Sequence, residues 1–226
     1  MPVYQLGKEI IFPPVSEAEP DGLLAVGGDL SPERLLTAYS MGIFPWYDER
    51  PILWFYTHPR FVLFPEEMHI SRSLKRTIQK NIFDIKADTA FHEVISQCAN
   101  KREGTWINKD MIKAYCRLHE LGYAHSFECW HNGSLAGGVY GISLGKIFFA
   151  ESMFYEIPNA SKIALYYLIE YLKKAKFYLI DCQVYTKNIE RFGAKMIPAD
   201  DFNTVLEKAL NFPDYVGSWD LTKMSL

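Results

Sequence analysis

The chain has 226 residues, 49% hydrophobic and 15% aromatic, with a formal net charge of -3. That length and apolar content suit one large domain, or a small domain beside a larger one. A charge so near zero excludes a bulk polycation, so nucleic-acid contact has to come from a local basic patch.

No stretch reaches the roughly 18 apolar residues of a membrane span. The opening MPVYQLGKEIIFPP has neither a charged leader nor an apolar run. Cys98, Cys116, Cys129 and Cys182 show no Cys-x-x-Cys spacing. These features point to a soluble cytoplasmic protein with reduced thiols.

Residues 1–20 carry Pro13, Pro14 and Pro20 and read as irregular. Ser31-Pro32-Glu33 starts a helix, with Ser31 as its cap and Pro32 in its first turn. Leu35, Leu36 and Tyr39 follow at helical spacing, and Gly42 stops the helix. The aromatic run from Phe44 through Trp46, Trp54, Phe55 and Tyr56 reads mostly as a small core, with one or two rings left to face a ligand. Composition changes near Pro59 and Pro65, which places a boundary between a small domain, 1–64, and a larger one, 65–226.

In HISRSLKRTIQK, Arg72, Lys75, Arg76 and Lys80 fall on one side of a helix. A solvated face is the usual meaning of such a run. Four cations without an interleaved acid favour a phosphate-contacting surface. Helices follow over Phe91–Asn100 and Lys109–Leu121, separated by the polar turn EGTWIN. From His125 the period becomes that of strands. Asn132-Gly133 marks a type I′ hairpin turn between Ser126–His131 and Leu135–Ile142. A second tight turn at Leu144-Gly145 leads to Lys146–Phe154. A helix capped by Asn159 or Ser161 presents Leu165, Leu168, Ile169 and Leu172. Phe177–Val184 then reads as a strand, Asn188–Phe192 as a short helix, and Lys195–Ile197 as a last strand.

Glu151, Asp181 and Gln183 interrupt the apolar parts of two of these strands, and core strands avoid such groups unless a partner satisfies them. Alternation puts Asp181 and Gln183 on one face, about 7 Å apart. It puts Glu151 and Met153 with Phe149 and Ile147. A strand, helix, strand connection of this length lays its strands side by side and parallel. Both sets are therefore expected to line one pocket, with an apolar floor and two carboxylates and an amide at its rim. Structural alternatives exist: an ion pair for Glu151, and backbone N–H bonds at a strand end for Asp181. Three converging polar groups favour a site. Cys182 faces away and reads as a core thiol. His119 and His125 have no carboxylate at metal-site spacing, and Gly27-Gly28 lacks a nucleotide-binding pattern.

The order hairpin, strand, helix, strand, ending in NIERFGAKMI, resembles the GNAT (acyl-CoA N-acyltransferase-like) fold. The expected class is α+β: a small N-terminal α/β domain plus a GNAT-like C-terminal domain with a mixed sheet. Coenzyme A-using members carry a glycine-rich turn before the central helix, whereas MFYEIPNASK has no glycine there. The blocks FPP, EPDGLLAVGGDLSPERLLTAYSMGIFPWY, HISRSLKR, EGTWI, LHELGYAHSFE, ESMF, NASK and LIDCQ occur in the order found in leucyl/phenylalanyl-tRNA–protein transferases. The resemblance covers about residue 12 to about residue 200.

This resemblance implies transfer of Leu, Phe or Met from aminoacyl-tRNA to the α-amino group of proteins beginning with Arg or Lys, which are then degraded. It implies no metal and no coenzyme. It places a catalytic pair at Asp181 and Gln183, a substrate glutamate at Glu151, substrate-binding tryptophans at Trp46 and Trp106, and a tRNA-facing helix at HISRSLKR. Val139, Tyr155 and Leu168 stand where other members have methionine, serine and phenylalanine.

Asp181 is then expected to orient the attacking amine and Gln183 to hold the amine or the ester carbonyl. Met153, Phe149, Val139, Leu168 and Ile180 are candidates for the apolar pocket, Ile180 only if a bulge or splay breaks the alternation. Arg72, Lys75, Arg76 and Lys80 would grip acceptor-stem phosphates. Trp46 or Trp106 would stack on the terminal adenine. The rival readings are an acyl-CoA N-acetyltransferase, an aminoacyl-tRNA-dependent peptidoglycan transferase and a non-enzymatic tRNA-binding protein.

Overall fold

Ser31, Pro32 and Gly42 bracket the first helix as their chemistry requires. The Ser31 hydroxyl accepts the Arg34 N–H at 3.4 Å. Pro32 opens α1 (Pro32–Ser40), and Gly42, at φ +73°, turns the chain out of it. The computed structural model describes residues 3–100 and 106–221. Glu103, Gly104 and Thr105 of the expected polar turn lie outside the described residues.

α1 packs beside a four-stranded sheet of β1 (Tyr4–Leu6), β2 (Leu23–Gly27), β3 (Phe44–Pro45) and β4 (Leu53–Phe55), in the order β1-β2-β4-β3. The second sheet has seven strands: β5 (Arg60–Leu63), β6 (Asp84–Ala87), β7 (Ala124–His131), β8 (Ser134–Leu144), β9 (Ile147–Tyr155), β10 (Leu179–Asp181) and β11 (Lys195–Ile197). Their order is β11-β5-β10-β9-β8-β7-β6. The expected parallel pair is present, with Leu179 opposite Ile147 and Asp181 opposite Phe149. The fold is α+β with mixed sheets.

The helices α2 (Arg72–Gln79), α3 (Phe91–Asn100), α4 (Lys109–Glu120), α5 (Ala160–Lys174), α6 (Lys187–Glu190) and α7 (Ala199–Leu210) complete the element order. α5 covers one face of the large sheet with Leu165, Leu168, Ile169 and Leu172. α3 and α4 cover the other with Val94, Ile95, Met111, Tyr115 and Leu118, in a core that continues into Leu24, Leu35 and Trp54 of the smaller unit. Burying each such side chain contributes about 1.5–3 kcal/mol, so the two sheets are joined by one apolar core. β5 lies inside the large sheet, between β11 and β10. The chain therefore crosses between sheets before Arg60, ahead of the boundary expected at 64/65. Pro59 lies at that crossing, and Pro65 follows β5.

Asn132 and Gly133 have φ of +50° and +77°, as a type I′ turn requires. The next turn sits at Gly145-Lys146, one residue later than expected, because Leu144 pairs with Ile147. Asn159 occupies the cap position of α5 without a side-chain cap bond. β1 to β6 and α7 are additions to the sequence-based outline, as is the buried Trp219, whose ring stacks on His125 at 3.8 Å. Among the described residues no helix is long and apolar enough to cross a membrane.

Two local departures shape the site. β10 ends at Asp181, not Val184, because the Asp181 side chain accepts the Gln183 N–H at 2.9 Å. That local turn drives Gln183 to φ +53°. In β9, Ser152 pairs with Tyr140 and Ala150 with Gly141, leaving Glu151 as an extra, bulged residue. A Cβ on Gly141 would stand 2.1 Å from the Phe149 carbonyl oxygen, so only glycine lets the strands approach here.

Candidate active site

The bulge reverses the strand alternation at Glu151. Phe149 turns toward Tyr39, ring to ring at 5.0 Å, while Met153 packs with the α5 side of the sheet. The expected common face for Glu151, Met153 and Phe149 is therefore replaced by a split at Glu151. At that split a cleft of about 240 Å3 opens between β3, the β8–β9 pair, α5 and the loop after β10. Trp46, Trp106, Val139, Glu151, Met153 and Gln183 line it as expected, joined by Leu165.

Three pocket expectations are corrected. Phe149, Leu168 and Ile180 are at most 1% exposed and belong to the core. Phe149 is carried away by the bulge. Ile180 stays on the buried face because no bulge or splay displaces β10. Leu165, one turn before Leu168, is the α5 residue that reaches the cleft.

The fourth correction concerns Asp181. It is fully buried and is absent from the cleft lining. Arg60, itself 1% exposed, grips it with two parallel bonds, Nε to Oδ1 at 2.8 Å and Nη2 to Oδ2 at 2.7 Å. The same guanidinium donates to the Gly42 carbonyl at 2.8 Å and lies 4.6 Å from the centre of the Phe202 ring. Alternation placed Asp181 and Gln183 side by side, and the turn between them separates their side chains. Asp181 also accepts the Gln183 backbone N–H, the bond its strand-end alternative called for. Arg60 was missed, although an arginine heading the apolar run RFVLF signals a buried ion pair.

Among the described residues, Glu151 is the carboxylate that faces the cleft. Its Oε1 accepts the Tyr39 hydroxyl at 2.7 Å and its Oε2 the Tyr115 hydroxyl at 3.3 Å. The two hydroxyls also bond each other. Burial pushes the Glu151 carboxyl up to about 8, with nearby Asp181 adding to the rise and the tyrosine bonds and Arg60 opposing it. Burial and then Glu151 hold both phenols well above their usual range. The side of Glu151 facing the cleft stays partly open to solvent, so water moderates the burial effect there.

Gln183 has two amide orientations. In one, Nε2 stands 3.4 Å from Glu151 Oε1. Turned over, the nitrogen donates to the carbonyls of Ala150 at 2.9 Å and Cys182 at 3.1 Å. The second makes more and shorter bonds, and we adopt it. It ties the loop after β10 to β9 and places the amide oxygen beside Glu151.

Trp46 is 40% exposed at the mouth, its ring edge-on to Phe55 at 5.5 Å. Burial pushes the Cys182 thiol up, keeping it a neutral thiol. Tyr155 is exposed and outside the lining. On α2, Leu74 is buried and Arg72, Lys75, Arg76 and Lys80 are exposed. A second groove runs from the start of α2 past Lys162 and Arg191 and meets the cleft at Asn188, which lines both. Among the described residues no three His, Cys, Asp or Glu side chains gather as metal ligands.

A family model for leucyl/phenylalanyl-tRNA protein transferase matches residues 62–207. A model for the N-terminal domain of those enzymes matches 28–58. A protein of Anaeromyxobacter sp. (strain Fw109-5) named leucyl/phenylalanyl-tRNA–protein transferase is 54% identical over 226 residues, covering 98% of this chain and 96% of that one. One of the same name from Syntrophus aciditrophicus is 53% identical over 224 residues, covering 97% and 94%. Likeness to solved structures is faint, as with L-PGS from Bacillus licheniformis at 11% identity and a TM-score of 0.40, covering 86% of this chain and 62% of that one. On the two family matches and these near-full-length relatives, the chain belongs to the leucyl/phenylalanyl-tRNA–protein transferase family.

Proposed function

We propose that the chain moves Leu, Phe or Met from aminoacyl-tRNA to the α-amino group of cytoplasmic proteins with N-terminal Arg or Lys, marking them for degradation. Family membership makes aminoacyl transfer from tRNA to protein the reaction. The observation that carries the finer reading is the cleft itself: an apolar floor of Val139, Met153 and Leu165 beneath Glu151 and Gln183, with Trp46 and Trp106 above. The unbranched, adaptable side chain of Met153 can pack against a leucine, a methionine or a phenylalanine ring. The tryptophans offer faces to the terminal adenine. The groove past Lys162 and Arg191 leads toward the cations of α2, which suit the acceptor-stem phosphates without reading their sequence.

The donor is an activated ester and the nucleophile an amine, so the reaction runs without a covalent enzyme intermediate. The site has to hold the two ends together, keep the amine neutral and stabilise the oxyanion. In this reading Gln183 and Glu151 contact the reacting groups, a role supported by their place in the cleft lining. Asp181 acts behind them as a positioning residue, holding the Gln183 turn and Arg60 together.

The test is a transfer assay with labelled Leu-, Phe- and Met-tRNA and peptides that begin with Arg, Lys or Ala. Label reaching the Arg and Lys peptides alone is expected. Equal labelling of the Ala peptide, or no labelling of any, overturns the proposal.

A further inference from the structure

We propose that Glu151 takes the proton of the attacking amine and passes it to the leaving ribose oxygen, with Tyr39 and Tyr115 as its positioning residues. This rests on the transfer reading above. Asp181 is sealed behind the cleft by Arg60, which leaves Glu151 as the carboxylate among the described lining residues.

The hydrogen-bond pattern around Glu151 asks for a proton. Tyr39, Tyr115 and Glu151 form a closed ring of three contacts. Three contacts need three protons, and two phenols bring two. With Glu151 ionised, one contact sets two oxygens against each other with no hydrogen between them. With Glu151 protonated, all three close. The adopted Gln183 orientation adds an amide oxygen beside the same carboxyl. The fold thus favours the protonated carboxyl, and the open cleft side gives that proton an exit.

The groups facing Glu151 are Tyr39 from α1, Tyr115 from α4, Gln183 from the loop after β10, and Asp181 and Arg60 from β10 and β5. The last two form an ion pair with no net charge, so neither phase of a proton exchange is blocked by a fixed charge. Burial sets Glu151 to about 8, beside the about 8 of a peptide amine. Partners matched in this way exchange a proton at little cost, as general acid–base catalysis requires.

In the step itself, ionised Glu151 accepts an N–H of the neutral amine while the amine nitrogen bonds to the ester carbon. The carbon–oxygen bond to the ribose then breaks, and its electron pair stays on the ribose oxygen. That oxygen takes the proton from Glu151. The products are an amide and a ribose hydroxyl, and Glu151 is again ionised.

The test measures single-turnover transfer from Phe-tRNA to an Arg peptide over about pH 6.5–9.5. Glu151→Gln keeps the ring, since its amide both accepts from Tyr39 and donates to Tyr115. The expected loss is about 100-fold or more in rate, with tRNA binding within about twofold. Tyr39→Phe opens the ring and leaves the Tyr115 contact, which an ionised carboxylate satisfies with the phenol's own proton, so the midpoint of the pH profile moves downward and the rate is kept to lower pH. The peptide's amine is common to both enzymes and cannot cause that movement.

A carbon-13 titration of the wild-type Glu151 carboxyl gives a readout independent of variant folding. A midpoint in the amine range is expected, and one in the ordinary carboxylate range overturns the assignment. Wild-type transfer with Glu151→Gln within about fivefold, or an unmoved midpoint in Tyr39→Phe, also overturns it. A wild type that transfers to no acceptor overturns the transfer reading and this assignment with it.

Discussion

Replacing Arg60 by alanine removes both bonds to Asp181, at 2.8 and 2.7 Å, and the bond to the Gly42 carbonyl. Asp181 is 0% exposed, so the carboxylate left behind has no access to water. Removing one partner of a buried, hydrogen-bonded ion pair costs about 3–5 kcal/mol. For a chain of this size each kcal/mol moves the melting temperature by about 2–4 °C, which puts the expected drop at roughly 10 °C. Urea unfolding followed by tryptophan fluorescence measures the free energy directly. The companion variant Arg60→Met with Asp181→Leu removes both charges at similar volume. It should recover most of the loss, because an apolar pair has no charge to desolvate. A cost below about 1 kcal/mol for Arg60→Ala refutes the buried-pair reasoning.

Glu151 gives a pH prediction with a definite sign. Its folded value of about 8 lies above the usual glutamate value of 4.5. Between those values the native chain holds a proton that the unfolded chain has released, so stability falls as pH rises through that window. With allowance for water in the cleft the effect is about 1–3 kcal/mol, read from urea unfolding at pH 5 and pH 9. Glu151→Gln should lose that slope, and an equal slope in both proteins contradicts the assignment. Arg76→Ala should weaken tRNA binding and reduce the salt slope by about 1. An unchanged slope from anisotropy titrations makes α2 a solvent face. Gly141→Ala puts a methyl 2.1 Å from the Phe149 carbonyl, which should cost about 2 kcal/mol or more and lower transfer by displacing Glu151. A normal melting temperature would show that the bulge relaxes freely.

Local chemistry in the sequence identified the elements that carry their own signals. Ser31-Pro32 and Gly42 bracket α1, Asn132-Gly133 turns the first hairpin, and the strand, helix, strand run around α5 gives the parallel β9–β10 pair. The features that escaped depend on partners distant in the chain. Arg60 and Asp181 are 121 residues apart, and nothing within either strand names the other. The bulge at Glu151 requires Gly141 on the neighbouring strand, and with it went the predicted facing of Phe149. Tyr39 and Tyr115 sit on the apolar stripes of two helices, where a phenol looks like core until the carboxylate between them is placed. Glu151, Gln183, Met153 and Val139 were legible because polar and adaptable residues in apolar strands stand out at any register.

The central claim is that the cleft at Glu151 and Gln183 holds the 3′ end of the donor. The direct measurement is a crystal structure with phenylalanyl-adenosine in which a 3′-amide replaces the ester. The account predicts the phenyl ring against Val139, Met153 and Leu165, the adenine on Trp46 or Trp106, and the carbonyl beside Gln183. Density for the ligand in the α3–α4 groove lined by His92, Lys113 and Arg117, or a cleft left empty at saturating ligand, would contradict it.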